Sequence, residues 1–580
     1  MPTGVSGDRR PNTASRAEQA NQADPKNTMN APRRAIRNAL LATALAVPLA
    51  ALGCELLLGI EDIELGTPPD SCWIPTGNGG RGCYRAGETG CPIQSDDPVE
   101  THNRIINACT TAACIPFTTE LTKLGGSTTL PPLPAAGGDG GSGGSGGMGG
   151  SGGSGGMGGS CGMGGDGGMG GSGGMGGDGG MGGGQGGSGG GAPLEMCSQV
   201  IDPALPRIYM AGSNAVVRLL QKAAPILSGP TAEKPVVIIY QPLSSCDGFE
   251  TIAFNEPIKG EASYFVEPSQ GQDTGERPCQ LDSKETSVDI GTCDVFAGTC
   301  ITSVLSSDVA DYGSGPIQAM TLVVPATSDQ KVLSREAAYL IYGFGAQSEV
   351  APFTDEARIL QRNDESGTKR MIAPAIDVPY DRWKGKLLGS TSVMKAELAA
   401  ANKEGGSAAS ATLGILDVTN DGKGEKEYLK ILAFQGKGQT CGFWPDSEPD
   451  NDDMKNVRDG HYVIWGPLHF FVRASNKNPT NPLATAVVNY LTGFRPLPNE
   501  KFAFTMVGLQ ATGGLIPRCA MRVDRTTELG DLKPYSADFP CGCYFEQVVT
   551  GEAKGCKPCS SNADCDASSE VCSFDFCERK

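Results

Sequence analysis

The chain has 580 residues and sets 65 Asp plus Glu against 47 Lys plus Arg, a formal charge of -18. So acidic a balance argues against nucleic acid or an anionic membrane surface as a partner, although a closed site can still hold a small anion with local dipoles and one arginine. The length exceeds one ordinary domain, but a large share of the 83 glycines falls in a single stretch, so the foldable part is smaller than the length suggests.

From Met29 the chain runs through Arg33, Arg34 and Arg37 into the apolar segment Ala39 to Leu52, followed by Gly53 and Cys54. A positive start, an apolar run too short to span a bilayer and small residues before a cut make up a secretory signal. A cysteine so placed resembles the lipobox of bacterial lipoproteins, with Ala51 where leucine is usual. That resemblance implies lipidation of Cys54 and an exported product anchored to the membrane, facing the periplasm or the cell surface. Residues 1–54 are therefore read as leader and signal, with Met29 the expected start. The 21 cysteines less Cys54 leave 20, an even number that suits disulfides in an oxidising compartment.

Residues 55–136 carry Cys72, Cys83, Cys91, Cys109 and Cys114 together with Trp73 and Tyr84. A module this small buries little apolar area and needs covalent staples. Its odd cysteine count points to a partner elsewhere, with Cys161 and Cys197 as candidates. Residues 137–191 repeat Gly-Gly-Ser, Gly-Gly-Met and Gly-Gly-Asp without apolar periodicity. Such a stretch is a disordered linker with a root-mean-square span of about 40 Å, read as a tether that holds the next domain off the membrane.

From Cys197 to Phe545 the composition becomes globular. β-rich runs at Val236 to Tyr240, Met320 to Val324 and Tyr462 to Val472 alternate with helical patterns at Val216 to Ala224 and Ser334 to Tyr342. This alternation predicts an α/β domain with mixed or parallel sheets. At about 350 residues it exceeds one compact core, so two lobes are expected, the first over about 197–322 and 470–545 and the second over about 323–469. Cys541 and Cys543 lead into a cysteine-rich tail, 546–580, with Cys556, Cys559, Cys565, Cys572 and Cys577. The Cys556 and Cys559 spacing suits half a zinc site, but with no histidine nearby disulfides are the expectation.

The segment Arg362-Asn363-Asp364-Glu365-Ser366-Gly367-Thr368 groups the chemistry an oxyanion needs. Arginine offers a rigid fork of donors, the two hydroxyls add more, and glycine lets the main-chain N–H groups approach closely. A helix beginning near Ser366 would also turn its unpaired N–H groups and positive dipole end toward the anion.

Arg362, Ser366, Gly367 and Thr368 fit the R-x-x-x-S-G-T pattern, and here the chain resembles the phosphate-binding proteins of bacterial ABC transporters, of the type 2 periplasmic-binding superfamily. The likeness continues in order. Ile208 to Met210 followed by Ala211-Gly212-Ser213-Asn214 looks like the family's first anion loop, with Ser213 and Asn214 as donors. Tyr240 to Gly248 is similar to its second loop, with Ser245 on the phosphate-contacting serine and Cys246 and Asp247 in place of a serine and a glycine. Val288 to Asp294 resembles its D-x-G-x-S-D turn, which makes Asp294 the acceptor for a protonated phosphate oxygen; such a carboxylate selects a ligand that still has a proton and rejects sulfate. Gly315 to Val324 resembles the crossing strand, and Asp459 to Gly466 the return. The resemblance implies a two-lobed fold with a hinge, phosphate or a related oxyanion as ligand, and an ABC permease as partner.

Only His102, His461 and His469 are present and no serine or cysteine lies in a nucleophile motif, so neither an enzyme nor a metal or cofactor is expected. Asp417 to Gly422 is similar to a calcium loop but has Tyr428 where a bidentate glutamate is needed. The acidic run Asp446 to Asp453 reads as a solvated loop. The competing reading is a structural or adhesive surface lipoprotein that kept the fold and lost the ligand.

Overall fold

A computed structural model describes residues 72–75, 81–88, 91–116, 129–135 and 193–580, apart from 231, 233, 269–274, 302–304, 313–314, 419–424 and 494–499. The signal, Cys54, the 137–191 linker and most of the calcium-like loop lie outside these residues. Among the described residues no helix is long and apolar enough to cross a membrane.

The architecture is mixed α/β with several sheets. The largest sheet is built on Arg207–Gly212, which pairs in parallel with Val237–Pro242 on one side and Ile290–Cys293 on the other. His469–Ser475 returns antiparallel beside Ile290–Cys293 and pairs with Val309–Tyr312 on its far side. Strands buried on both faces read as continuous apolar runs, as these do. Ile208, Met210, Ile238 and Tyr240 face the Val217–Ser228 and Pro482–Thr492 helices, while Ala211, Val237 and Ile239 face the core that includes Phe249 and Ile252.

A second sheet has Ile317–Pro325 between Gly414–Asp417 and Leu429–Ile431, both antiparallel to it. At its start the same strand pairs with Trp465–Pro467, and these two antiparallel segments carry the chain between the sheets. The expected Tyr462 to Val472 strand is thus two strands, broken at Leu468. The helices are longer than the patterns that predicted them, at Val217–Ser228 and Arg335–Phe344.

The N-terminal cysteine module is no separate bead. Cys72 pairs with Cys91 and Cys83 with Cys109, around a Trp73–Tyr84 edge contact of 5.1 Å. The next helix, Pro98–Ile106, sinks Ile105 and Ile106 into the main core. Cys114–Pro116 then adds a strand beside Cys441–Phe443, locked by a Cys114–Cys441 disulfide. The extra cysteine of the module is therefore Cys114, and its partner is neither Cys161 nor Cys197, which pairs with Cys279. Leu130 and Leu133 of the proline-rich stretch also pack on this core, and Tyr339 donates to the Pro131 carbonyl at 2.5 Å. The Cys114–Cys441 disulfide therefore links the segment before residues 137–191 to the one after them.

Toward the C-terminus Cys543–Cys556, Cys559–Cys572 and Cys565–Cys577 form disulfides, as expected over zinc, and Cys541 pairs back to Cys519, ahead of the tail. The even count misled in one respect: Cys293 is a buried free thiol. Because Cys114 and Cys441, with a sequence separation of 327, close the longest of these cross-linked loops, the Cys114→Ala/Cys441→Ala variant should lose about 2–4 kcal/mol of stability in urea unfolding. Unchanged stability would mean that strand pairing alone seats the module.

Candidate functional site

Arg207–Gly212 ends on Gly212 at φ 134, a conformation open to glycine, and an added Cβ would lie 2.0 Å from the Thr292 carbonyl oxygen. Gly248 is as tightly held, its Cβ position 2.4 Å from Gly212 Cα. The missing side chains let the Ser245–Ala253 helix press its first turn against the ends of two strands. Ser213 follows Gly212, accepts the Ala215 N–H at 3.1 Å, and has its carbonyl held by the buried Tyr240 hydroxyl at 2.6 Å.

The helix after Val237–Pro242 is capped by Ser244, which accepts the Asp247 N–H at 3.4 Å, so Asp247 is compatible with this turn. Cys246 is spent on a disulfide to Cys300. The Ser245 hydroxyl donates to Asp294 Oδ2 at 2.8 Å. Asp294 is buried at the end of Ile290–Cys293, and its Oδ1 makes no hydrogen bond of good geometry. Burial raises the pKa of this carboxyl; nearby Ser213, Gln318 and Ser245 pull it back down, and Asp417 adds to the rise.

Opposite these groups, Leu360–Arg362 ends in Arg362, which donates to Thr391 Oγ1 at 2.7 Å and to the Gly389 carbonyl at 3.4 Å. Its Nε is buried without a partner. Burial lowers the Arg362 pKa, and the Asp417 and Asp294 carboxylates counter it, which sets this guanidinium in the field of both.

The Gly367–Ala375 helix begins where the Arg-x-x-x-Ser-Gly-Thr segment predicts, with Ser366 as N-cap. Yet Ser366 makes no capping bond to the helix, although Ser366 and Thr368 are both buried. The first main-chain bond is Arg370 N–H to the Ser366 carbonyl at 3.0 Å, so the amides of Gly367, Thr368 and Lys369 point out of the helix end. The first of these residues lies against Ser245 and Asp294. A Cβ on Gly367 would come 2.2 Å from Ser245 Oγ and 2.7 Å from Asp294 Oδ2.

Ser245, Asp294 and Gly367 are thus in direct contact, Ser213 and Arg362 lie within electrostatic reach of Asp294, and Ser366 and Thr368 flank the contact. Asn214 differs in being exposed. Four participants were not read from the sequence. Gln318 is a fully buried amide beside Asp294, and its signal was an amide side chain in a strand that is otherwise apolar except for Thr321. Thr391 is the first residue of the Thr391–Glu404 helix. Asp417, read as part of a calcium-like loop, ends Gly414–Asp417. Glu528, behind the site, gave no signal.

Oε2 of Glu528 accepts the Phe296 N–H at 3.2 Å and Thr299 Oγ1 at 3.4 Å, bracing the loop that follows Asp294. Burial pushes its carboxyl up to about 7, against the Phe296 N–H, Arg525 and His469. Arg525 stacks over Trp465 at 4.2 Å, on the segment that joins the sheets. His469 bonds Asp311 at 2.9 Å and His461 the Ala108 carbonyl at 2.9 Å, a structural use for both rings.

No family model matches the chain, and no curated protein does. Among solved structures it is similar to an ABC-type phosphate transport receptor from Vibrio cholerae, at 14% identity over 54% of this chain and 100% of that one, TM-score 0.35. It is also similar to PstS from Borrelia burgdorferi, at 11% identity over 54% of this chain and 98% of that one, TM-score 0.30. The reduced OxyR regulatory domain of Pseudomonas aeruginosa matches at 9% identity over 49% of this chain and 95% of that one, TM-score 0.27.

Two outcomes test this geometry. Gly367→Ala should force the Gly367–Ala375 helix away from Ser245 and Asp294 and cost about 1–3 kcal/mol in urea unfolding, as overpacking does; unchanged stability contradicts the contact. The raised Glu528 value means that its contribution to stability is full below about pH 4.3 and is lost as pH rises to about 7, a change of roughly 3 kcal/mol. Glu528→Gln should remove that slope from urea unfolding between pH 4.5 and 7.5, taken as about the limits of the window.

Proposed function

We propose that the chain is an extracytoplasmic solute-binding lipoprotein whose two sheet-bearing halves are the lobes of a type 2 periplasmic-binding fold. In this reading they close about the paired crossing segments, as about a hinge, on phosphate or a similar oxyanion. Lipid on Cys54 holds the protein at the membrane, where it serves an ABC permease or a sensor, and it performs no chemistry of its own.

The observation that carries the reading is the buried, uncapped start of the Gly367–Ala375 helix, aimed across at Ser245 and Asp294 with Arg362 beside it. Helix N–H groups turned away from water need an acceptor, and an anion supplies one. A hydrogen bond to a charged group contributes about 1.5–3 kcal/mol, so the amides, hydroxyls and guanidinium together can offset the cost of desolvating phosphate.

Asp294 gives the selectivity. An ionised carboxylate can only accept, so it holds a phosphate that still has a proton and repels sulfate, which has none. Because burial raises the Asp294 pKa, acidification puts a proton on this carboxyl, and its discrimination against sulfate should weaken as pH falls.

The second reading, a display protein without ligand, is favoured by the direct Ser245 to Asp294 bond, which partners these groups with each other. Calorimetry separates the two. Phosphate should bind with a Kd of about 1 μM or tighter. Arg362→Ala should weaken binding by about a hundredfold or more with the fold intact, and Asp294→Asn should narrow the preference over sulfate. No heat and no thermal shift at millimolar phosphate would end the transport reading.

A further inference from the structure

We propose that Arg370 is the closure latch of this cleft, gripping main-chain carbonyls that the Cys246–Cys300 disulfide holds beside Ser245, so that retention of the anion depends on that cross-link; the inference rests on the phosphate reading. Arg370 is the fourth residue of the Gly367–Ala375 helix, yet its side chain serves the opposite lobe. Its Nη1 donates to the Thr299 carbonyl at 2.7 Å and lies 3.5 Å from the Cys300 carbonyl. Within its own lobe, Nε donates to the Asp364 carbonyl at 2.6 Å and the guanidinium lies 4.0 Å from the centre of the Tyr380 ring.

Those contacts make the fork a preorganised arm. The residue is 9% exposed and the partners found for its guanidinium are carbonyls and a ring face rather than a carboxylate. Carbonyls of a last helical turn suit an arginine, but they repay its desolvation only when correctly placed. Their placement is the task of the Ala297–Cys300 turn, which is braced on two sides. Thr299 donates to Glu528, and Cys300 is bonded to Cys246, the residue after Ser245. A displacement of Ser245 is therefore passed through one disulfide to the carbonyls that Arg370 grips.

The cysteine that departs from the family pattern at 246 thereby acquires a role, as the link between an anion-binding hydroxyl and the latch. Cys293, one residue before Asp294, has its thiol 3.8 Å from Cys300 Sγ. Burial pushes that thiol well above its usual pKa, which keeps it a poor nucleophile toward the disulfide.

The test uses the full oxidised chain, with inorganic phosphate as probe and stopped-flow release as readout. Arg370→Met keeps an unbranched apolar stem but removes the guanidinium, and should speed release by about tenfold at a nearly unchanged association rate. The Cys246→Ala/Cys300→Ala variant should speed it to a similar extent, and the combination should add little further. Multiplying effects, or wild-type release from Arg370→Met, would overturn the latch. If the cysteine variant does not fold, hydrogen exchange of Ala297–Cys300 decides. Phosphate should slow it in the wild type and not in Arg370→Met, and equal slowing overturns the proposal. Absence of phosphate binding by the wild type is a distinct result that removes the anion site itself.

Discussion

The structure turns on a helix end that no side chain caps. A buried helix start leaves several N–H groups facing away from water, and here Ser366 does not cap it. The neighbours across the contact are Ser245, already donating, and Asp294, a carboxylate whose burial raises its pKa. A positive dipole end against a carboxylate is favourable by itself, and Gly367 is the residue that permits the approach. Any side chain there would collide with Ser245 and Asp294.

The surroundings serve to hold that contact in register. On one side the main chains of Gly212 and Gly248 nearly touch, which seats the Ser245 turn on the strand ends. Glu528 and Arg525, from a segment beyond both sheets, pack behind the Asp294 loop and the joining strand. The disulfides extend the same scheme outward. Cys114–Cys441 sews the N-terminal module to the Cys441–Phe443 strand, and Cys246–Cys300 fastens the Ser245–Ala253 helix to its neighbouring turn. Such links can stand in for further apolar burial where a segment is too small to build a core.

Much of this was legible in one dimension. Strand and helix patterns at Val236 to Tyr240, Val216 to Ala224 and Ser334 to Tyr342 became elements, since apolar period is a local property set by side-chain direction. Tyr462 to Val472 did not survive as one strand, because its residues serve two sheets and apolar content carries no mark of the change of partner. Asn214 sits next to Ser213 in sequence but is exposed, since adjacent residues at a turn need not share a face.

The amino-acid sequence by itself determined the chemical groups and their local frames: a helix that starts after Ser366, a strand that ends in Arg362, serines at the starts of two helices and an aspartate after a strand. Each depends on a few neighbouring residues. Only the tertiary structure decided which cysteines pair, that Cys293 stays free, that Gly367 rests on Ser245 and Asp294, and that Arg370, Gln318 and Glu528 belong to the same neighbourhood. The reason is that contacts between residues distant along the chain are set by how layers pack, and sequence spacing places almost no bound on them. Arg362 to Thr368 could be recognised as a loop able to face an anion; what it faces was a matter for the fold.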